Sequence, residues 1–164
     1  MKELNMILAA AENNAIGRKG GIPWHIAEDF KYFKRTTLGH TVIMGYMTWV
    51  SLGSRPLPGR QNYVISLEPL PKSQYDNVRF FASLEDAVEA AGEGAFIIGG
   101  GYTYRQALPM ATRVYLTRIH TVVEDADTFF PELDPAEWTL VSTGGIMHDD
   151  ECNLDFEFLV YERQ

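Results

Sequence analysis

Ala95-Phe96-Ile97-Ile98-Gly99-Gly100-Gly101-Tyr102-Thr103-Tyr104-Arg105-Gln106 is an apolar run that meets three glycines and continues into residues suited to a helix. An apolar run without polar alternation belongs to a strand buried on both faces, the condition of a parallel sheet covered by helices. Thr41 to Met44 repeats the pattern, reaching Gly45 and then a short helix from Tyr46. Outward from these two units, Leu4 to Ala11, Asn62 to Ser66 and Val78 to Phe81 read as further strands. A helix begins at Ala27, and Leu84 to Ala91 is another, with Ser83 as its N-cap. Arg113 to Ile119, Trp138 to Ser142 and Leu154 to Tyr161 alternate polar and apolar residues with no helix between them, so they pair antiparallel at one edge. No repeat, low-complexity tract or linker interrupts the pattern, and residues 1–164 read as one α/β domain.

The bulk composition narrows the function. A chain of 164 residues with 46% hydrophobic and 22% charged residues can bury a core without metal or disulfide help. Its 22 acidic and 14 basic side chains, net charge −8, argue against a nucleic-acid partner, which needs a basic face. The single cysteine, Cys152, suits a reducing cytosol. The apolar run from Met6 to Ala11 is shorter than a signal core, and no segment reaches membrane-spanning length. A soluble cytoplasmic protein is expected, with no membrane partner.

One acid stands out. In Ile22-Pro23-Trp24-His25-Ile26-Ala27-Glu28-Asp29-Phe30-Lys31-Tyr32-Phe33, a helix from Ala27 stacks Asp29 and Phe33 one turn apart, with Phe30 beside them. Such a carboxylate is costly to bury unless a polar or cationic group, or a proton, satisfies it. Glu28 and Lys31 fall on the opposite, solvated side, which supports the register.

Other constellations are less specific alone. The triplet Gly99-Gly100-Gly101 lets a backbone approach a ligand closely, but Tyr104 stands where G-x-G-x-x-G has its third glycine, and a tight turn without a ligand fits equally well. Gly45-Tyr46-Met47-Thr48-Trp49 offers a hydroxyl at Thr48, a residue more often a cap than a ligand contact. Arg55-Pro56-Leu57-Pro58-Gly59-Arg60 places two guanidinium groups on a stiff turn. Arg60 suits bidentate carboxylate binding, although a solvated surface cation is the commoner meaning. His25, His40, His120 and His148 lack metal-ligand spacing, so no metal is expected. Neither G-x-S-x-G nor a P-loop lysine is present.

Taken in order, Ile16-Gly17, Pro23-Trp24, Asp29, Phe33, Val42-Ile43-Met44-Gly45, Thr48-Trp49, Arg55 to Arg60, Ile98 to Gly101, Thr117 and Asp127-Thr128-Phe129-Phe130-Pro131 resemble a bacterial dihydrofolate reductase of the chromosomal type, from Met6 to the C-terminus. The resemblance implies a central eight-stranded, mostly parallel mixed sheet with an antiparallel C-terminal edge and four flanking helices. It also implies reduction of 7,8-dihydrofolate to 5,6,7,8-tetrahydrofolate by a reduced nicotinamide dinucleotide, in support of one-carbon metabolism and thymidylate synthesis. Asp29, Trp24 and Thr117 would be catalytic, with Trp24 holding a water and Thr117 bonding Asp29. Ile7, Leu8, Phe30, Phe33, Leu52, Leu57, Arg60 and Ile98 would contact substrate, with Arg60 on the glutamyl α-carboxylate. The cofactor would meet Ala9, Ile16, Gly17, Ile22, Gly45, Tyr46, Met47, Thr48, Ser66, Leu67, Ile98, Gly99, Gly100, Gly101, Tyr102, Tyr104 and Thr128. Ile16 to Trp24 would form a lid, Gly20-Gly21 giving it freedom and Ile22 covering the nicotinamide. Antifolates such as trimethoprim or methotrexate would bind, and a monomer is expected.

The chemistry of the residues agrees. A dihydropterin presents parallel N–H donors that a carboxylate accepts as a fork, and Asp29 is the acid on the apolar face. Apolar surroundings favour its protonated form, which helps a proton reach nitrogen 5 while hydride reaches carbon 6.

Several positions depart from the family. Tyr46 and Tyr102 stand where the family usually carries cations, and Leu67-Glu68 follow Ser66 in place of basic or hydroxyl residues. These positions receive the 2′-phosphate of NADPH, so use of NADH is expected alongside NADPH. Ala126 replaces a common loop glycine. A pyrimidine reductase of riboflavin synthesis shares the fold but does not need Asp29. A non-catalytic folate or dinucleotide carrier would not need Trp24, Asp29 and Thr117 together.

Overall fold

The two apolar runs that meet glycine are strands that pair in parallel: β3 (Thr41–Gly45) and β6 (Ala95–Gly99), with Val42 opposite Phe96 and Ile43 opposite Ile97. The structure is a computed structural model that describes residues 2–18, 21 and 23–164. Each strand leads at once into a helix, α2 (Tyr46–Ser51) and α4 (Gly101–Ala107), so the glycines form the strand-to-helix turns.

The chain divides into two compact units, Met1–Met6 with Arg35–Thr112 and Ile7–Lys34 with Arg113–Gln164. The first takes Leu4 to Met6 of β1 (Leu4–Ala11) and orders its strands as β1, β6, β3, β4 (Gln61–Ile65) and β5 (Val78–Phe81), every pair parallel. Parallel neighbours need crossovers, and α3 (Leu84–Ala91) lies in the one from β5 to β6. Its N-cap is Ser83, whose hydroxyl accepts from the Asp86 N–H at 3.1 Å.

The second unit holds the rest of β1, α1 (Ala27–Thr37) as far as Lys34, and the antiparallel strands. There β11 (Leu154–Arg163) pairs with β7 (Arg113–Ile119), Phe158 facing Thr117 in the register. The opposite edge of β11 takes β10 (Met147–Asp149) along Leu154 to Phe156 and β9 (Trp138–Thr143) along Leu159 to Arg163. With β1 in both orders, the strands make one mixed sheet with eight in its main order, as the family resemblance implied, and β9 as a ninth that pairs with β11 off that path. The additional strand arises because β11 is 10 residues long and one edge of it serves two short partners, with a register shift between Val160 and Tyr161. A separate ladder joins β2 (Ala15–Gly17) to β8 (Thr128–Phe129). β2, β8 and β10 are too short to show a period, which is why the sequence does not announce them.

Several boundaries move by one or two residues. β4 starts at Gln61 and ends at Ile65, leaving Ser66 in the following loop, and β9 and β11 run on to Thr143 and Arg163. A core cluster in the second unit gathers Ala11, Ala15, Trp24, Ile26, Ile119, Val123 and Phe156, anchoring the segment that enters α1. Among the described residues, no helix is long and apolar enough to cross a membrane.

Gly45 shows how closely the first unit is packed at its strand ends. A Cβ there would lie 2.8 Å from Thr103 Oγ1, and Thr103 is itself buried on α4. Gly45→Ala is expected to lower the unfolding free energy by roughly 1–3 kcal/mol, the usual scale for overpacking. The added change Thr103→Ala should recover part of that loss in a double-mutant cycle by urea unfolding. A neutral Gly45→Ala would show that the turn has room to relax.

Candidate active site

The acid singled out in α1 is held by one neutral donor. Thr117, 2% exposed on β7, donates its hydroxyl to Asp29 Oδ1 at 2.7 Å. β7 is buried at Thr117 because its neighbours Leu116 and Ile119 are core residues, so the threonine hydroxyl has little choice but to face a protein acceptor. No cation pairs with Asp29 among the described residues. Burial pushes its carboxyl above the ordinary carboxylate range, and the Thr117 hydrogen bond offsets part of that rise. A carboxyl group so placed keeps its second oxygen for another partner and holds a proton more readily than a surface acid.

The same unit presents the other residues expected near it. Trp24, Ile7 and Leu8 are buried, while Ala9 and Phe33 are partly buried and Phe30 is exposed. The ring of Phe30 lies 4.7 Å from that of His25. Ile16, Gly17 and Thr128 come together in the β2–β8 ladder, where Gly17 faces Thr128. Ile22 and Gly20 of the expected lid lie outside the described residues.

Arg60 corrects the commoner meaning of a turn arginine. It is 6% exposed, not a solvated cation. Its Nε donates to the Pro58 carbonyl at 2.9 Å and its Nη1 to Thr37 Oγ1 at 3.1 Å. No carboxylate faces it among the described residues, and burial lowers its pKa from the usual arginine range. With Nε taken, the fork that remains for an anion is formed by Nη1 and Nη2. Asn62, fully buried on β4, holds the turn in place: its Oδ1 accepts from Leu57 N at 2.9 Å, and its Nδ2 donates to the carbonyls of Leu57 and Arg60 at 3.1 and 3.0 Å. Gly59 completes the bend at φ +74°, and a Cβ there would come within 2.7 Å of Leu38 Cδ1.

The glycine turns of the first unit enclose little space beyond their own backbone. Cβ atoms on Gly99 and Gly100 would sit 3.3 and 3.5 Å from Thr48 Oγ1, and the Gly99–Gly100 peptide is cis. Neither α2 nor α4 has a side-chain cap at its first turn. The turns thus form a cradle that larger residues would fill, which fits a ligand approached by backbone alone. Tyr104 is buried, Ile98, Leu52, Leu57 and Ser66 are partly buried, and Tyr46, Met47, Leu67 and Tyr102 are exposed.

Sequence reasoning missed Thr37, Asn62 and Thr103. Thr37 had a signal, since Asp29, Phe33 and Thr37 recur at four-residue spacing along α1. Asn62 and Thr103 had none, because a lone polar residue in an apolar run carries no mark of its hydrogen-bond partners.

Comparison with known proteins identifies the family. A family model described as dihydrofolate reductase matches residues 3–163. A dihydrofolate reductase of Bacillus subtilis (strain 168) is 39% identical over 163 residues, covering 98% of this chain and 95% of that protein. One from Neisseria gonorrhoeae is 46% identical over 142 residues, 84% of this chain and 85% of its own. A solved structure described as dihydrofolate reductase from Enterococcus faecalis complexed with NADP(H) and RAB-propyl superposes with a TM-score of 0.85 at 34% identity, covering 99% of this chain and 96% of that one.

The raised carboxyl of Asp29 has a stability consequence. Its folded-state pKa lies above its unfolded value, so the folded chain holds the proton longer and the stability difference runs against the ionised form: stability falls as pH rises through that interval. Asp29→Asn keeps an acceptor for Thr117 without the charge. It is expected to stabilise the ligand-free protein at pH 7 by roughly 0.5–2 kcal/mol, the usual gain when a functional group ill-suited to its surroundings is relieved. In paired thermal unfolding experiments the gain should shrink as pH drops below the ordinary carboxylate range. A loss of stability at pH 7 would contradict the desolvation account.

Proposed function

The chain belongs to the dihydrofolate reductase family, and from that membership together with the placement of Asp29 we propose the roles of its individual residues. The protein is an oxidoreductase that reduces 7,8-dihydrofolate to 5,6,7,8-tetrahydrofolate with a reduced nicotinamide dinucleotide. The observation that carries the residue assignment is the half-buried Asp29 carboxyl, bonded to Thr117 and unpaired with any cation among the described residues. A match to the family over residues 3–163 supports treating the chain as one functional domain.

In this reading Asp29 accepts the paired N–H donors of the pterin ring in a fork, while Thr117 fixes the carboxyl plane by its bond to Oδ1. The raised proton affinity of Asp29 favours the protonated state of the bound pair, which assists proton arrival at nitrogen 5. Trp24 holds the water that delivers the proton. Ile7, Leu8, Phe30, Phe33, Leu52, Leu57 and Ile98 supply apolar contact to the ring and its benzoyl extension. Arg60 takes the glutamyl α-carboxylate through Nη2 and the Nη1 hydrogen not given to Thr37.

The reduced nicotinamide, when bound, supplies the hydride. Gly45, Gly99, Gly100 and Gly101 would admit the phosphates, Thr48 would offer its hydroxyl, and Ala9, Ile16 and Tyr104 would border the nicotinamide, with Ile22 assigned to its cover. We take the cofactor to be NADPH, with NADH also accepted. Diaminopyrimidine and pteridine antifolates would compete at Asp29.

Two measurements test these roles. Asp29→Asn should lower kcat/KM for dihydrofolate at pH 7 by roughly 10² or more, the scale of lost acid–base assistance, with partial recovery at low pH as substrate arrives already protonated. In the wild type kcat/KM should decline as pH rises through the raised Asp29 titration; near-normal activity of the Asn variant at pH 7 would remove Asp29 from the mechanism. Arg60→Leu should weaken glutamate-tailed ligands such as methotrexate by about 1.5–3 kcal/mol, the range for a hydrogen bond to a charged group. Trimethoprim, which has no tail, should bind nearly as before. Equal losses for both ligands would assign Arg60 to folding instead.

A further inference from the structure

Of the substrate contacts proposed on α1, Phe30 is the most exposed, with 47% of its surface open beside Asp29 in the first turn. A phenyl ring half in water has more than one open rotamer, and a loose ring grips a flat ligand poorly. One neighbour limits it. The imidazole of His25 lies against Phe30 with ring centroids 4.7 Å apart and planes tilted by 34°, within the range of an aromatic pair. His25 precedes the helix, so helical spacing does not bring the two rings together. The path of the chain into α1 does.

The backbone of that path is fixed on both sides of His25. Trp24 and Ile26 belong to the core cluster, so the segment between them cannot shift far without opening the core. The Ile26 carbonyl accepts the N–H groups of Asp29 and Phe30 at 3.1 and 3.2 Å, which ties the segment to the helix. The thiol of Cys152, in the turn between β10 and β11 and packed against the same cluster, donates to the His25 carbonyl at 2.9 Å. The imidazole itself is exposed, and neither ring nitrogen has a hydrogen-bond or ion-pair partner among the described residues. A histidine with no polar partner and one ring contact is placed by that contact.

Resting on the reading that Phe30 meets the benzoyl part of the substrate, we propose that His25 is a positioning residue that braces the Phe30 ring, so that dihydrofolate meets a contact surface already ordered. Ordering a side chain costs free energy, and the cost is charged to ligand binding only when no neighbour has restricted the side chain beforehand. His25 acts through Phe30 and on binding alone, not on the transfer of hydride or proton. The pterin ring, held by Asp29, gains nothing from the brace. Cys152 acts one step further back, through the His25 carbonyl.

The test compares steady-state reduction of dihydrofolate with that of 6-methyl-7,8-dihydropterin, which carries the pterin ring and no benzoyl group. His25→Ala is expected to raise KM for dihydrofolate roughly three- to tenfold, the worth of one aromatic pair, with kcat within about twofold of wild type. KM for the methyl pterin should stay within about twofold of its wild-type value, since that substrate does not reach Phe30. His25→Phe keeps a ring and should restore the dihydrofolate KM, whereas His25→Gln keeps a polar group without a ring and should behave as His25→Ala. In a double-mutant cycle the effect of His25→Ala should vanish when Phe30 is already alanine. Cys152→Ala should give the same split between the two substrates at smaller amplitude, about twofold in KM. A dihydrofolate KM unmoved by His25→Ala but raised by Phe30→Ala, a His25→Ala effect that persists in the Phe30→Ala background, or equal rises in KM for both substrates would each overturn the brace and leave Phe30 as a substrate contact. A dihydrofolate KM unmoved by Phe30→Ala would instead overturn the reading of Phe30 on which the brace rests.

Discussion

A carboxyl group largely withdrawn from water, with no counter-cation among the described residues, is the constraint around which the second unit is organised. Thr117 supplies a single hydroxyl at 2.7 Å, enough to fix the group and too little to lower its proton affinity to that of a surface acid. A lysine or arginine in the same place would have stabilised the fold and silenced the acid. The α1 register and the core cluster that takes in Trp24 and Ile26 anchor the segment that carries this one group.

The first unit carries the complementary case. Arg60 is a buried cation that no carboxylate faces among the described residues, held by two neutral acceptors, the Pro58 carbonyl and the Thr37 hydroxyl. The turn that presents it is secured from below by Asn62, whose three hydrogen bonds satisfy its side chain at a position with no water contact. Asp29 and Arg60 are therefore each desolvated and each incompletely satisfied. Folded proteins carry such groups where a ligand completes them, and accept a lower stability in return.

The glycine turns of the first unit follow another logic, close backbone packing. A Cβ at Gly45 would press on Thr103 and one at Gly99 on Thr48, so side chains are crowded out there and a ligand that reaches these turns meets main-chain atoms. The tyrosines that follow two of these turns, Tyr46 and Tyr102, are exposed.

By itself the sequence determined the alternation of strands and helices, the two glycine turns, the N-cap at Ser83 and the isolation of Asp29 on an apolar stripe. All of these are local: they depend on periodicity, capping chemistry and glycine conformation within a dozen neighbouring residues. The ordered motifs also carried the family. Tertiary structure alone decided that Arg60 is buried, that Thr37 and Asn62 hold it, that Thr103 closes on Gly45, and that β11 serves two partners on one edge. Those facts join residues 23 positions apart, as in Thr37 and Arg60, or 88 apart, as in Asp29 and Thr117. A hydrogen bond across such distances leaves no periodic trace, because its partners are brought together by the packing of whole elements and not by the spacing of the residues between them.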